Sequence, residues 1–178
     1  MTLSWSWLVL VMFVACGGSD PEPEPFAVES VWIGGGKDDG SAGFIEVRQG
    51  GAVPLVAGLQ GGFHIYVNAR LRATGEAPSS LVFERSARVD ASGDLLSRGK
   101  QRIELLPGPD GALETGRSQL LILCPTPAGV AASGVPVRVR VDVTTADTEQ
   151  SLGSAELLVA PTCPGDGLAE YCEDICGG

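Results

Sequence analysis

Residues 135–143 read Val-Pro-Val-Arg-Val-Arg-Val-Asp-Val, with valine at every odd position and polar side chains at the even positions that follow the proline. Successive side chains of a β-strand point to opposite faces, so a repeat of two residues is typical of a half-buried strand. The segment therefore predicts a strand whose odd face is buried.

The same alternation occurs in residues 64–72, where Ile65, Val67, Ala69 and Leu71 share one face. Less regular segments also predict strands: residues 27–33, 43–48, 53–57, 81–89, 101–106, 119–123 and 154–160. The apolar run at residues 120–123 lacks alternation, which is typical of a strand covered on both faces. We identify no convincing long helix.

Turn-forming sequences separate these strands, and the chain contains 25 glycines and 12 prolines. Many short strands with frequent turns predict an all-β protein, namely a single antiparallel β-sandwich with immunoglobulin-like architecture over residues 26–161. A chain of 178 residues with 44% hydrophobic content is large enough for one such core.

The N-terminal segment predicts export. Residues 3–15, LSWSWLVLVMFVA, form an apolar run too short to span a bilayer, and Cys16 follows it directly. We interpret residues 1–15 as a signal peptide. The alternatives are a plain secretory signal and an uncleaved anchor.

The end of this run, Phe-Val-Ala-Cys at residues 13–16, resembles the lipobox of bacterial lipoproteins. The resemblance implies that Cys16 is lipidated, becomes the mature N-terminus and tethers the chain to a membrane. Gly17 after the cysteine implies sorting to the outer membrane of a Gram-negative cell envelope. Residues 16–25 then form a tether rich in proline and glutamate, on the order of 30 Å long when extended.

Four further cysteines, Cys124, Cys163, Cys172 and Cys176, predict two disulfides in an exported chain. Three of them lie in residues 162–178, which we interpret as a Cys-rich tail stapled to the sandwich. Cys124 is expected to bond to one of the three, with Cys163 favoured. A metal site that adds His64 is the competing interpretation, but the C-x8-C-x3-C spacing argues against structural zinc. We expect no metal or cofactor.

Composition excludes several functions. The net charge of −10 disfavours nucleic acid and direct binding to anionic lipid. Beyond residue 15 there is one histidine and no methionine, too few ligands for a blue-copper centre. The chain has no G-x-S-x-G motif. Because 22 acidic residues guarantee candidate pairs, a hydrolase that uses carboxylates stays open.

The single histidine belongs to a polar row on one strand face: His64, Tyr66, Asn68, Arg70 and Arg72. This row is either a recognition strip for an acidic or polar partner, with arginines as bidentate anchors, or the solvated side of a sheet. The glycine-rich segment that leads into it, residues 58–70, resembles a segment of myxobacterial-type lipoproteins. That resemblance implies no activity.

These observations predict a membrane-anchored, non-catalytic module that binds a protein or polar ligand or has a structural role in the envelope. The first alternative is the carboxylate hydrolase. The second is an adhesin or an inhibitor of a secreted enzyme, for which residues 106–116 would project from the sandwich as a long loop.

Overall fold

A computed structural model describes residues 24–37, 39–126, 129–165 and 167–177. The predicted signal peptide, Cys16 and most of the tether lie outside the described residues. The strands are β1 (Ala27–Gly35), β2 (Gly51–Pro54), β3 (Val56–Ala57), β4 (Phe63–Thr74), β5 (Leu81–Val89), β6 (Leu95–Ile103), β7 (Leu105–Pro107), β8 (Leu113–Thr115), β9 (Gln119–Cys124), β10 (Val137–Thr145) and β11 (Ser151–Thr162), followed by helix α1 (Ala169–Cys176).

Two sheets pack face to face and confirm the β-sandwich. In the first sheet, β4 pairs with β1, β3, β8 and β9, and β7 lies beyond β8. The second sheet has the order β2-β11-β10-β5-β6. The chain crosses from the first sheet to the second between β1 and β2, an arrangement typical of immunoglobulin-like sandwiches. Because of this crossing, β2 runs parallel to β11, whereas every other strand pair described is antiparallel.

The core forms between the inner faces of β4 and β10, as the alternating segments predict. The odd-numbered valines of β10, from Val137 to Val143, are at most 2% exposed. On the facing sheet, Ile65, Val67 and Leu71 are also buried. Burial of one such side chain stabilises the fold by roughly 1.5–3 kcal/mol, so these two strands anchor the sandwich.

Two strand predictions and one loop prediction differ from the structure. Residues 43–48 make only a bridge between Gly35 and Ile45, because this segment crosses the outer face of the first sheet. The strand predicted at residues 101–106 is confirmed only in part, because these residues belong to the end of β6, which begins at Leu95, and to the start of β7, which lies in the other sheet. The glycine-rich residues 106–116 do not project as a loop. They include a hairpin of β7 and β8, and β8 pairs with β4.

The C-terminal tail is stapled to the sandwich by two disulfides, as predicted, but the favoured pairing was wrong. Cys124 bonds to Cys176, and Cys163 bonds to Cys172. The short helix α1 folds the chain back after β11, and Cys172 and Cys176 are four residues apart on one helix face. Cys172 therefore bonds to Cys163, just after the end of β11, while Cys176 bonds to Cys124 at the end of β9.

The two disulfides should stabilise the fold unequally. In the chain-entropy model, the bond separated by 52 residues contributes about 4 kcal/mol and the bond separated by 9 residues about 2.5 kcal/mol. We expect Cys124→Ala/Cys176→Ala to lower the free energy of unfolding more than Cys163→Ala/Cys172→Ala, as measured by guanidinium denaturation. Equal losses, or a larger loss for the short loop, would contradict this assignment.

Candidate functional site: a cleft around His64

The polar row on β4 does not form one solvated strip. His64 and Asn68 are buried, at 6% and 1% exposure, Tyr66 and Arg70 are half-buried, and Arg72 is exposed. Residues 39–45 form a segment that crosses the outer face of the sheet above Asn68. This crossing segment divides the row into two separate surfaces.

Asn68 holds the crossing segment in place. Its side-chain amide donates hydrogen bonds to the carbonyl of Gly43 and, at 3.4 Å, to Ser118 Oγ. Ser118 Oγ donates in turn to the carbonyl of Ser41 at 2.9 Å. A Cβ at Gly36 would lie 2.2 Å from Ser118 Oγ, so the close approach requires glycine. Asn68 therefore has a structural role.

Beyond the crossing segment, Arg70 is also occupied. Its guanidinium forms an ion pair with Glu114, with Nη2 2.7 Å from Oε1, and its central carbon lies 4.3 Å above the ring centroid of Phe44. Among the described residues, Arg72 has no ion pair, and it lines a groove of about 440 Å³ with the exposed Trp32. Of the two arginines in the row, only Arg72 thus has a guanidinium without an ion pair among the described residues.

On the other side of the crossing segment lies the His64 cleft, an apolar depression of about 490 Å³. Its most exposed apolar side chains are Leu59, Leu120 and Ile122. The cleft is lined by Ala57, Gly58, Leu59, Gln60, Gly62, Phe63, His64, Tyr66, Leu120, Ile122, Cys124 and Pro125. Exposed apolar side chains gathered around a depression are typical of a binding surface.

The register between β4 and β9 builds the floor of this cleft. His64 lies opposite Ile122 and Tyr66 opposite Leu120, so the four side chains share the outer face. Leu121 and Leu123 point into the core and are buried. The prediction that residues 120–123 are covered on both faces was therefore wrong, because their second face is open to solvent.

His64 lies in apolar surroundings and is uncharged. Its ring lies edge-on to Tyr66 with the centroids 4.8 Å apart. Nε2 is buried without a hydrogen-bond partner among the described residues. Desolvation by burial lowers the pKa of the imidazole from its usual 6.5, so the ring is neutral at neutral pH. The cleft thus presents neutral, aromatic and aliphatic groups to a ligand.

The disulfide-stapled tail supports one rim of the cleft. Tyr171 on α1 donates a hydrogen bond from its hydroxyl to the carbonyl of Gly61 at 2.9 Å, and its ring lies 5.8 Å from that of Phe63. These contacts hold the turn of residues 58–62, which presents Leu59 to solvent. Gly61 has φ +83°, a conformation that favours glycine.

Sequence reasoning identified His64 and Tyr66 but missed Leu59, Leu120, Ile122 and Tyr171. The exposure of Leu120 and Ile122 could have been predicted only by placing β9 beside the polar row on β4. The contribution of Tyr171 depends on how the tail folds back, for which the sequence contains no signal.

The His64 cleft and the start of the sandwich lie at opposite ends of β4. Ala27, the first residue of β1, pairs with Thr74 at the end of β4, whereas the cleft surrounds its first residues. At about 3.3 Å per residue, the twelve residues of β4 separate these ends by roughly 36 Å.

Comparisons with known proteins give no family assignment. No protein-family model matches the chain, and no curated protein matches it. Among solved structures it is similar to a β-glucuronidase of Bacteroides uniformis, with 15% identity and a TM-score of 0.35. A calcium-binding mutant of β-glucuronidase 2 from that organism has the same values. Both matches cover 73% of this chain and 13% of the glucuronidase, and at this TM-score they carry no argument about function.

The described part of the chain contains no group of three or more histidine, cysteine, aspartate or glutamate side chains placed to hold a metal ion. It also contains no helix that is long and apolar enough to cross a membrane.

The buried imidazole should make stability depend on pH. The pKa of the His64 imidazole is lower in the folded chain than its unfolded value of about 6.5. Below pH 6.5 the unfolded chain therefore binds a proton at His64 more readily than the folded chain does. The contribution of the neutral imidazole to the free energy of unfolding is fully present above pH 6.5, and it is lost as the pH falls toward the pKa of His64 in the folded chain. We expect wild type to lose more stability than His64→Gln between about pH 7.5 and 5.5, measured by thermal unfolding. Identical losses would show that His64 titrates normally.

Proposed function

We propose that this protein is a lipid-anchored module of the cell envelope that binds a partner, without catalysis, through the His64 cleft. The observation that carries the proposal is the apolar cleft, which lies at the end of the sandwich opposite the beginning of β1. A tether that enters at one end and a binding surface at the other suit a protein that holds its ligand away from the membrane.

The anchor in this proposal is Cys16, on the basis of the lipobox resemblance. A single acyl chain binds a membrane only weakly, and multiple chains on one cysteine make the attachment stable. With an extended tether on the order of 30 Å, the cleft would stand roughly 60 Å from the lipid surface.

The two disulfides support an extracytoplasmic location, because such bonds persist mainly in oxidising compartments. Their position also matters for binding. Both disulfides hold α1, and α1 holds the turn that carries Leu59, so oxidation pre-forms the rim of the cleft. A pre-formed surface loses less conformational entropy when its ligand binds.

The nature of the cleft supports binding rather than chemistry. The floor consists of Tyr66, Leu120 and Ile122 around a neutral imidazole, and no ionisable side chain other than His64 and Tyr66 lines the cleft among the described residues. The carboxylate-hydrolase alternative would have to use the groove beside Trp32, where Glu46 and Asp110 lie.

Anchoring is tested by Cys16→Ser. In a Gram-negative host we expect the full-length chain in the membrane fraction, with an acylated Cys16 as its first residue by intact mass and peptide mapping. The Cys16→Ser chain should leave the membrane fraction while both disulfides still form. An unmodified Cys16, or a membrane-bound Cys16→Ser chain, would contradict the lipid anchor.

Binding is tested by site-specific photocrosslinking in intact cells. A photoreactive phenylalanine analogue at Ile122, in the cleft, should give discrete adducts. The same analogue at Arg140, on the outer face of the second sheet, serves as the matched control and should give none. Adducts at Ile122 should diminish when Leu59→Ser is added, because that change removes apolar surface from the cleft. Equal adducts at both positions would contradict a cleft-specific partner.

A further inference from the structure

We propose that the open edge of β9 accepts an additional β-strand from a partner protein, an extended segment in which apolar and acidic residues alternate. This inference rests on the proposed function, because it names the class of partner that occupies the His64 cleft. Strand addition recognises a partner by main-chain hydrogen bonds, while pockets for alternate side chains provide selectivity.

The first argument is that β9 pairs along one edge only. Within the described residues its sole strand partner is β4. Leu120 points its carbonyl away from β4, since that oxygen accepts a hydrogen bond from Arg85 Nε at 2.9 Å. Tyr66 lies opposite Leu120, and its carbonyl also points away from β9, because it accepts a hydrogen bond from the amide of Gly36 at 3.2 Å. The amides of Leu120 and Ile122 therefore point away from β4, toward the edge at which β9 has no described strand partner, while the Leu120 carbonyl on that edge is held by Arg85.

The second argument is the apolar outer face next to that edge. Leu120 and Ile122 are 45% and 59% exposed, and they continue into the His64 cleft. A strand added beside β9 would place every second side chain on this face, within contact of both residues. Apolar side chains would be preferred there, because they would cover surface that is now in water.

The third argument is a cation on the inner side of the same edge. Arg85 occupies an inward-facing position of β5, between the buried Phe83 and Ala87. Its guanidinium lies against Gly99, where a Cβ would be 3.1 Å from the guanidinium carbon. Nη1 is buried without a hydrogen-bond partner, and no described acidic side chain pairs with Arg85.

Positive charge continues along this edge although the whole chain carries −10. Arg102 and Arg117 line a groove of about 190 Å³ between β6 and the beginning of β9, together with one acid, Glu104. Neither arginine forms an ion pair with a described residue. The second set of side chains of an added strand would face these cations, so acidic residues complement them.

The same charges disfavour a second copy of this chain as the occupant. Antiparallel pairing of two β9 edges would bring Arg85 and Arg117 of both copies together along one seam. Like charges on paired strands are destabilising. A strand from another protein, with acids on its inner-facing side, meets no such repulsion.

The experiment uses a fluorescent peptide of alternating valine and glutamate, with blocked ends, and the disulfide-bonded chain from residue 17 onward. We expect saturable binding by fluorescence anisotropy and slower hydrogen exchange at the amides of Leu120 and Ile122. A valine–lysine peptide should bind at least roughly tenfold more weakly, as expected for loss of one or two charge contacts. Exchange that is unchanged at both amides would overturn the proposal.

Two N-methylated peptides test the main-chain hydrogen bonds. One is methylated at the valine amides and the other at the glutamate amides, so each blocks one edge of the peptide strand. Strand addition predicts that one of the two loses binding and the other retains it. Equal affinities would exclude pairing along one edge.

Charge reversal tests the role of the cations. Arg117→Glu should weaken the valine–glutamate peptide by roughly tenfold and improve the valine–lysine peptide. The matched control is Arg48→Glu, which makes the same charge change at an exposed arginine that does not line this groove. It should leave the affinities of both peptides unchanged. Equal effects of the two variants would overturn the role assigned to Arg117.

The outcomes separate this inference from the proposed function. Crosslinks at Ile122 in cells without peptide binding in vitro would reject strand addition while keeping the cleft as a binding surface. Self-association of the unliganded chain through β9, seen as protected Leu120 and Ile122 amides at high concentration, would identify a second copy as the occupant and overturn the proposal.

Discussion

The structure depends on the burial of one face of β4 against β10. Ile65, Val67 and Leu71 on the first strand meet the valines of the second, and all of them lie in a single apolar core. β4 is also the strand with most neighbours in its sheet, since β1, β3, β8 and β9 all pair with it. Because its inner face is committed to the core, everything placed on its outer face has a defined position.

The outer face of β4 is covered by different groups along its length. At Asn68 the crossing segment covers it and binds the amide. At Arg70 a carboxylate and an aromatic ring occupy the guanidinium. Around His64 the same face is covered only by neighbouring side chains, and exposed apolar groups remain around it. One strand therefore provides a structural anchor at its centre and the proposed binding surface at its beginning.

The C-terminal tail connects covalent structure to this surface. Without its disulfides, an eight-residue helix has too few hydrogen bonds to persist on its own. Bonded to both β9 and the end of β11, it places Tyr171 against Gly61 and Phe63. The two disulfides thus position a helix that contacts the rim of the cleft, at a turn more than 60 residues before the first of these cysteines.

Much of the fold could be predicted from local patterns, because the alternation of side chains requires no knowledge of distant residues. The valines of β10 and the apolar positions of β4 indicated a β-sandwich, and the even number of cysteines after residue 16 indicated two disulfides. These features follow from strand geometry and from the chemistry of thiols in an exported chain.

Only the tertiary structure decided which surfaces are covered. A period of two shows that His64, Tyr66, Asn68, Arg70 and Arg72 share a face, but not that a segment crosses above Asn68. It likewise cannot show that Leu120 and Ile122 stay open while Leu121 is buried, or that Cys176 rather than Cys163 meets Cys124. Each of these outcomes depends on contacts between residues far apart in the chain, whose energies no local pattern records.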